Sequence, residues 1–119
     1  MEDIVNALAG VFYLATTEDD QPHVRPFDGA TLHDGKLYIG TNRNKAVYNQ
    51  IMENPKVEIF SMETGMVRFT AIATPVEDDS LNEDIYNELG KTYEDDSVVI
   101  ELTDLKGTLV DQMGEEVTF

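Results

Sequence analysis

The sequence predicts a mainly β protein, an antiparallel barrel with short helices inserted between its strands. Two observations carry that prediction. Extended segments arrive as hairpins and not in alternation with helices, and the tally is about seven or eight strands against two or three short helices, which favours an antiparallel barrel over a doubly wound sheet. The length of 119 residues suits one domain spanning residues 1–119, since a second core would leave each half too small to be stable.

Taken in order, Met1–Gly10 places Ile4, Val5 and Leu8 at helical spacing and stops at Gly10, a short amphipathic helix. Val11–Thr16 is a β-rich run closed by Glu18-Asp19-Asp20. His23–Phe27 resumes it, with Val24 and Pro26 expected on opposite faces of an apolar/polar alternation, so the two runs form a hairpin. Thr31–Ile39 carries Asp34-Gly35 between extended residues, and both positions of such a turn prefer positive φ.

Thr41-Asn42-Arg43-Asn44 offers cap-forming side chains ahead of Val47, Tyr48, Ile51 and Met52, a helical stripe that Asn54-Pro55 stops. Lys56–Met62 and Met66–Val76 read as a second hairpin turning at Thr64-Gly65, with Pro75 at a frayed end. Ser80-Leu81-Asn82-Glu83 matches a capping box before Leu81, Ile85 and Leu89, and its acidic continuation to Asp96 reads as a solvated, self-repelling face. Ser97–Leu102, Leu105–Asp111 and Glu116–Phe119 are expected as three closing strands.

Composition excludes several classes of function. The chain has no cysteine, which removes disulfide scaffolds, thiolate metal centres and cysteine nucleophiles together. His23 and His33 lie on different expected strands without a third ligand, so no metal site is expected. With 24 acids against 8 bases and a net charge of −16, neither nucleic acid nor an anionic membrane is an expected partner. No segment approaches the roughly 20 apolar residues of a membrane span, and the acidic opening Met1-Glu2-Asp3 is unlike a signal peptide, which argues for the cytoplasm. Six of the bases, Arg25, Lys36, Arg43, Lys45, Lys56 and Arg68, fall in the first 68 residues, while only Lys91 and Lys106 follow. An anion site inside an acidic protein has this distribution.

The residues that carry chemistry meet after the second strand pair. Gly40-Thr41-Asn42, then Arg43-Asn44-Lys45 at a helix start, gather backbone amides, polar side chains and two cations, a natural phosphate site. Arg25, between Val24 and Pro26, can present a planar donor fork at the same end of the sheet. For Thr41 and Asn42, spacing alone favours helix capping over ligand contact. A barrel this small leaves little interior volume, so a ligand lies outside it, in a groove or at a subunit boundary.

Phe12–Thr16, Gln21–Phe27, Asp34–Tyr38, Thr41-Asn42 with Lys45, and Asn54–Ile59, in that order, resemble the FMN-binding split-barrel family related to pyridoxamine 5'-phosphate oxidase. The resemblance implies a Greek-key-like split β-barrel, a homodimer, and FMN held at the subunit boundary. It implies that Arg25, Pro26 and Phe27 contact the flavin ring or its tail and that Thr41, Asn42 and Lys45 hold the phosphate, with Tyr48 beside the cofactor or in the core.

Met66–Ala73 resembles a strand that many members write Trp-x-Arg-x-x-Gly-x-Ala. Met66 and Ala71 replace its aromatic residue and glycine, and Arg68 is retained for the flavin or the dimer seam. The arginine- and histidine-bearing C-terminal tail of true pyridoxamine-phosphate oxidases is missing, so oxidation of that substrate is not expected. The resemblance implies an FMN-dependent, flavin reductase-like oxidoreductase acting on a small redox substrate. Its alternatives are a non-catalytic flavin-binding or stress-associated module and a cofactor-free interaction barrel, and FAD, deazaflavin and heme occur as ligands in relatives. No residue set resembles a hydrolytic triad or a metal cluster, so catalysis would belong to the cofactor.

Overall fold

The computed structural model describes residues 1–119. Helix α1 (Glu2–Ala7) leads into strands β1 (Val11–Glu18), β2 (Gln21–Asp28), β3 (Ala30–His33) and β4 (Lys36–Asn42). Helix α2 (Ala46–Glu53), strands β5 (Lys56–Ser61) and β6 (Met66–Pro75), helix α3 (Asp79–Glu88), and strands β7 (Ser97–Val110) and β8 (Glu116–Thr118) complete the chain. One sheet runs in the order β2-β1-β5-β6-β7-β4-β3, every pair antiparallel, with β8 added beside β7. The β5-β6-β7 meander is thus inserted between the two N-terminal hairpins, a Greek-key-like order. The edge strands β2 and β3 follow each other in sequence but do not pair, which leaves the barrel split.

Local chemistry sets the hairpins. Asp19 and Asp20 (φ 49° and 65°) turn β1 into β2, and Asp34 and Gly35 (φ 50° and 75°) turn β3 into β4. Short acidic side chains and glycine tolerate this left-handed region best. Inward residues of β1, β4, β5, β6 and β7 meet in one core built around Phe12, Leu14, Leu37, Ile39, Ile59, Val67, Phe69, Ile100 and Leu102, closed by Ile4 and Leu8 of α1 and by Val47 and Ile51 of α2. Helix α3 covers the other side of β4 and β7, where Ile85 and Tyr86 pack on Tyr38 and Val99. No helix is long and apolar enough to cross a membrane.

Five local expectations are corrected. The run from Ser97 to Val110 is one strand, not two. It bends at a bulge where Asp104 and Leu105 stand opposite the single residue Ala71, and Asp104 takes φ 54°. Helix α3 is capped two residues earlier than expected, because the Asp78 carboxylate accepts from the Leu81 amide and Ser80 lies inside the helix. Thr41 and Asn42 cap nothing: both are strand residues paired with Val98 and Ser97, and α2 starts after Lys45 without a side-chain cap. Val24 and Pro26 share one outward face, because they are two residues apart on a regular strand paired with Ala15 and Tyr13. Tyr48 is half-buried and lines no cleft of the molecule.

Candidate functional site

At the split between the two hairpins lies an open cleft of about 320 Å³. Its walls are Val11 of β1, Arg25 to Asp28 of β2, Gly40 and Thr41 of β4, Lys45 and Val47 at the start of α2, and Lys91. Five residues singled out in the sequence, Arg25, Pro26, Phe27, Thr41 and Lys45, therefore converge. The convergence follows from topology, since β2 is an edge strand whose C-terminal end has no partner beyond β1, and β4 ends beside it.

Each wall residue has a structural reason for its place. Phe27 stacks on Phe12 of the core with ring centroids 5.7 Å apart, so one wall of the cleft is anchored in the interior. Pro26 is exposed opposite Tyr13. Thr41 is 5% exposed, and its main-chain carbonyl accepts from the Tyr86 hydroxyl. A Cβ on Gly40 would stand 3.3 Å from the Tyr86 ring, so glycine lets α3 seat closely beneath the site.

Arg25 is bound inward. Its Nη1 donates to the Leu14 carbonyl at 3.1 Å and to Thr16 Oγ1 at 3.0 Å, and its Nη2 donates to Gln50 Oε1 of α2. Gln50 Oε1 also accepts from the Thr16 hydroxyl. Burial lowers the guanidinium's pKa from its ordinary value, yet an arginine stays charged at neutral pH. No carboxylate faces it. Indeed no lysine or arginine of this acidic chain has a carboxylate oxygen within 4.0 Å; the only basic side chains that approach a carboxylate this closely are His23 and His33. The cleft thus gathers Arg25, Lys45 and Lys91, none paired with a carboxylate although Asp28 also lines it, an arrangement that can accept an anion.

The remaining sequence candidates lie elsewhere. Asn42 is half-buried and lines an adjoining polar cleft of about 240 Å³ with Tyr86, Thr92, Glu94 and Ser97. Arg68 is exposed on the outward sheet face, in a shallow depression of about 390 Å³ with Tyr13, Ala15, Val24, Glu58 and Phe60. Val11 and Pro26 lie in the same outward face as Tyr13, so the cleft opens onto that apolar surface.

Two contributors escaped the sequence reading. Gln50 occupied a polar slot in a helical stripe, with nothing local to mark its partners. Lys91 stood out only as one of two bases in the acidic C-terminal half.

The comparisons agree with this architecture. The sequence profile described as pyridoxamine 5'-phosphate oxidase matches residues 2–111. A nimC/nimA family protein from Clostridium acetobutylicum superposes with a TM-score of 0.85 at 36% identity, covering 99% of this chain and 87% of that one. General Stress Protein 26 from Bacillus anthracis gives 0.72 at 20% identity, over 99% and 97% of the two chains. A protein from Nostoc punctiforme described as pyridoxamine 5'-phosphate oxidase-related and FMN binding gives 0.66 at 16% identity, over 99% and 88%. No curated protein matches the sequence. With 110 of its residues under the family profile and the split barrel that profile entails, the chain belongs to the pyridoxamine 5'-phosphate oxidase family.

Proposed function

We propose that this protein is an FMN-binding oxidoreductase that works as a homodimer, with the flavin in the cleft at the split of the barrel. The observation that carries the reading is the convergence of Arg25, Lys45 and Lys91, none with a carboxylate partner, beside Gly40 and Thr41. That donor set fits a ligand ending in one phosphate. The name of the Nostoc relative, an FMN binding protein, supports the same cofactor. Beyond Thr41 the groove meets Glu94, whose charge disfavours a second phosphate and so favours FMN over FAD.

In this reading Lys45 and the Thr41 hydroxyl hold the phosphate, Pro26 and Phe27 wall the flavin, and Arg25 supplies positive charge from within the sheet. Bound FMN supplies the electron transfer between a nicotinamide donor and a small acceptor. The protein's part is orientation, a fixed electrostatic field and exclusion of water. Homodimerisation completes the site: Tyr13, Val24 and Phe60 form an outward apolar face that one chain leaves uncovered, with Arg68 among them. A cleft of about 320 Å³ is at the small end for ligand cavities, which run from about 300 to 1,000 Å³, and a second subunit seated on that face enlarges it.

Absorbance spectroscopy of the purified protein with added FMN, followed by a reduced nicotinamide, tests the proposal. Flavin bands that shift on binding and bleach on reduction support the oxidoreductase. A shift without bleaching favours a non-catalytic flavin module, and an unchanged FMN spectrum overturns cofactor binding and favours an interaction barrel.

A further inference from the structure

The two clefts at the split share four residues, Gly40, Thr41, Lys45 and Lys91. Three of them belong to the β4–α2 segment. Lys91 does not: it follows α3, immediately after Gly90, which takes φ +70°. Its position is fixed at both ends. The main-chain amide donates to the Tyr86 carbonyl at 3.0 Å, and Nζ donates to the Asp28 carbonyl at 2.6 Å, at the end of the edge strand β2. The ammonium therefore bridges the split where the barrel fails to close.

A role as a structural staple explains the Asp28 contact but not the electrostatics. An ammonium has three donors, and the Asp28 carbonyl uses one of them. Lys91 stands in one cleft with Lys45 and Arg25, and no carboxylate oxygen lies within 4.0 Å of any of the three. Asp28 lines the same cleft and Glu94 the adjoining one, yet neither carboxylate comes within 4.0 Å of these cations, so three unpaired cations stand together and repel one another. An anion in the cleft removes that repulsion. We infer that Lys91 is a phosphate-binding residue, paired with Lys45, so that the terminal phosphate of the flavin is held by cations from two separate parts of the chain. The inference rests on the FMN reading and adds to it a ligand from the segment after α3.

Comparing FMN with riboflavin, which lacks the phosphate, isolates this role. Fluorescence titrations of both flavins at several salt concentrations, on the full-length wild type, Lys91→Ala and Lys91→Arg, provide the measurement. Lys91→Ala weakens FMN binding about 10- to 100-fold, the loss of one charge-assisted contact. It leaves riboflavin binding within about twofold and flattens the salt dependence of FMN affinity, and Lys91→Arg restores most of both. Equal weakening of FMN and riboflavin by Lys91→Ala, or unchanged FMN affinity and salt dependence, overturns the inference in favour of a staple. A wild-type protein that binds neither flavin overturns the cofactor reading itself, and this inference with it, a result distinct from a defect confined to the variant.

Discussion

The Tyr86 hydroxyl on α3 donates to the main-chain carbonyl of Thr41 on β4, so the helix that covers the outer side of the sheet grips the strand end that walls the candidate cleft. Removing the hydroxyl with Tyr86→Phe costs about 0.5–1.5 kcal/mol at neutral pH, read as a lowered melting temperature. The pH dependence has a definite sign. Burial, aided by the charges of Asp96 and Tyr93, raises the Tyr86 pKa above its ordinary value although polar contacts with Ser97 and Val98 pull the other way. The folded state therefore holds this proton more tightly than the unfolded chain. Its contribution is complete below the unfolded pKa, about 10, and is lost as pH rises through the folded one. Wild type should lose stability faster than Tyr86→Phe above about pH 10, narrowing the gap between them.

Gly107 makes a separate prediction from backbone packing. It lies opposite Phe69 across the β6–β7 pair, and a Cβ there would stand 2.1 Å from the Arg68 carbonyl oxygen and 2.5 Å from the Phe69 Cα. On its other side it exchanges two main-chain hydrogen bonds with Phe119. Backbone on both sides cannot yield as a side-chain tip does. Gly107→Ala should cost about 3 kcal/mol or more, the upper range of overpacking, in chemical denaturation. A variant as stable as wild type would show that β6 and β7 move apart at little cost.

The hairpins were legible in the sequence because their signals are local: Asp34-Gly35 and Asp19-Asp20 dictate their own φ values. The bulge in β7 was not, since Thr103-Asp104 looks like the end of a strand until Ala71 on another strand forces two residues opposite one. For the same reason Thr41 and Asn42 read as helix caps, although pairing with β7 commits them to a strand. Within the site, Arg25, Thr41 and Lys45 were visible through a resemblance that depends on their order along the chain. Lys91 and Gln50 enter only through the three-dimensional meeting of α2, β2 and the segment after α3, which no periodicity records.

The outward face of β1, β2 and β5 predicts assembly. Val24 is 69% exposed and Tyr13 46%, side by side with Phe60 and Ala15 on a regular sheet surface. A charge placed there should block a two-fold partner without touching the core. Val24→Asp is expected to sediment as a monomer at concentrations where wild type is dimeric, with an unchanged far-ultraviolet dichroism spectrum and reduced FMN affinity. A wild type that is monomeric at tens of micromolar would remove the shared site from the proposal.

Gln50 offers the sharpest test of Arg25. Its amide oxygen is the common acceptor for the Arg25 guanidinium and the Thr16 hydroxyl, and the side chain is 5% exposed. Gln50→Ala leaves two donors without their acceptor, one of them charged, and should lower stability by about 1–3 kcal/mol. Gln50→Glu keeps an acceptor of the same length but sets a carboxylate against the guanidinium. If Arg25 acts by its uncompensated charge, the glutamate variant should fold with near wild-type stability, bind FMN several-fold more weakly, and lower the reduction potential of the bound flavin, because a neutralised arginine no longer favours the added negative charge. If Arg25 serves only to tie β2 to α2, FMN affinity and potential will match the wild type. Denaturation, flavin titration and potentiometry on the pair of variants separate the two roles.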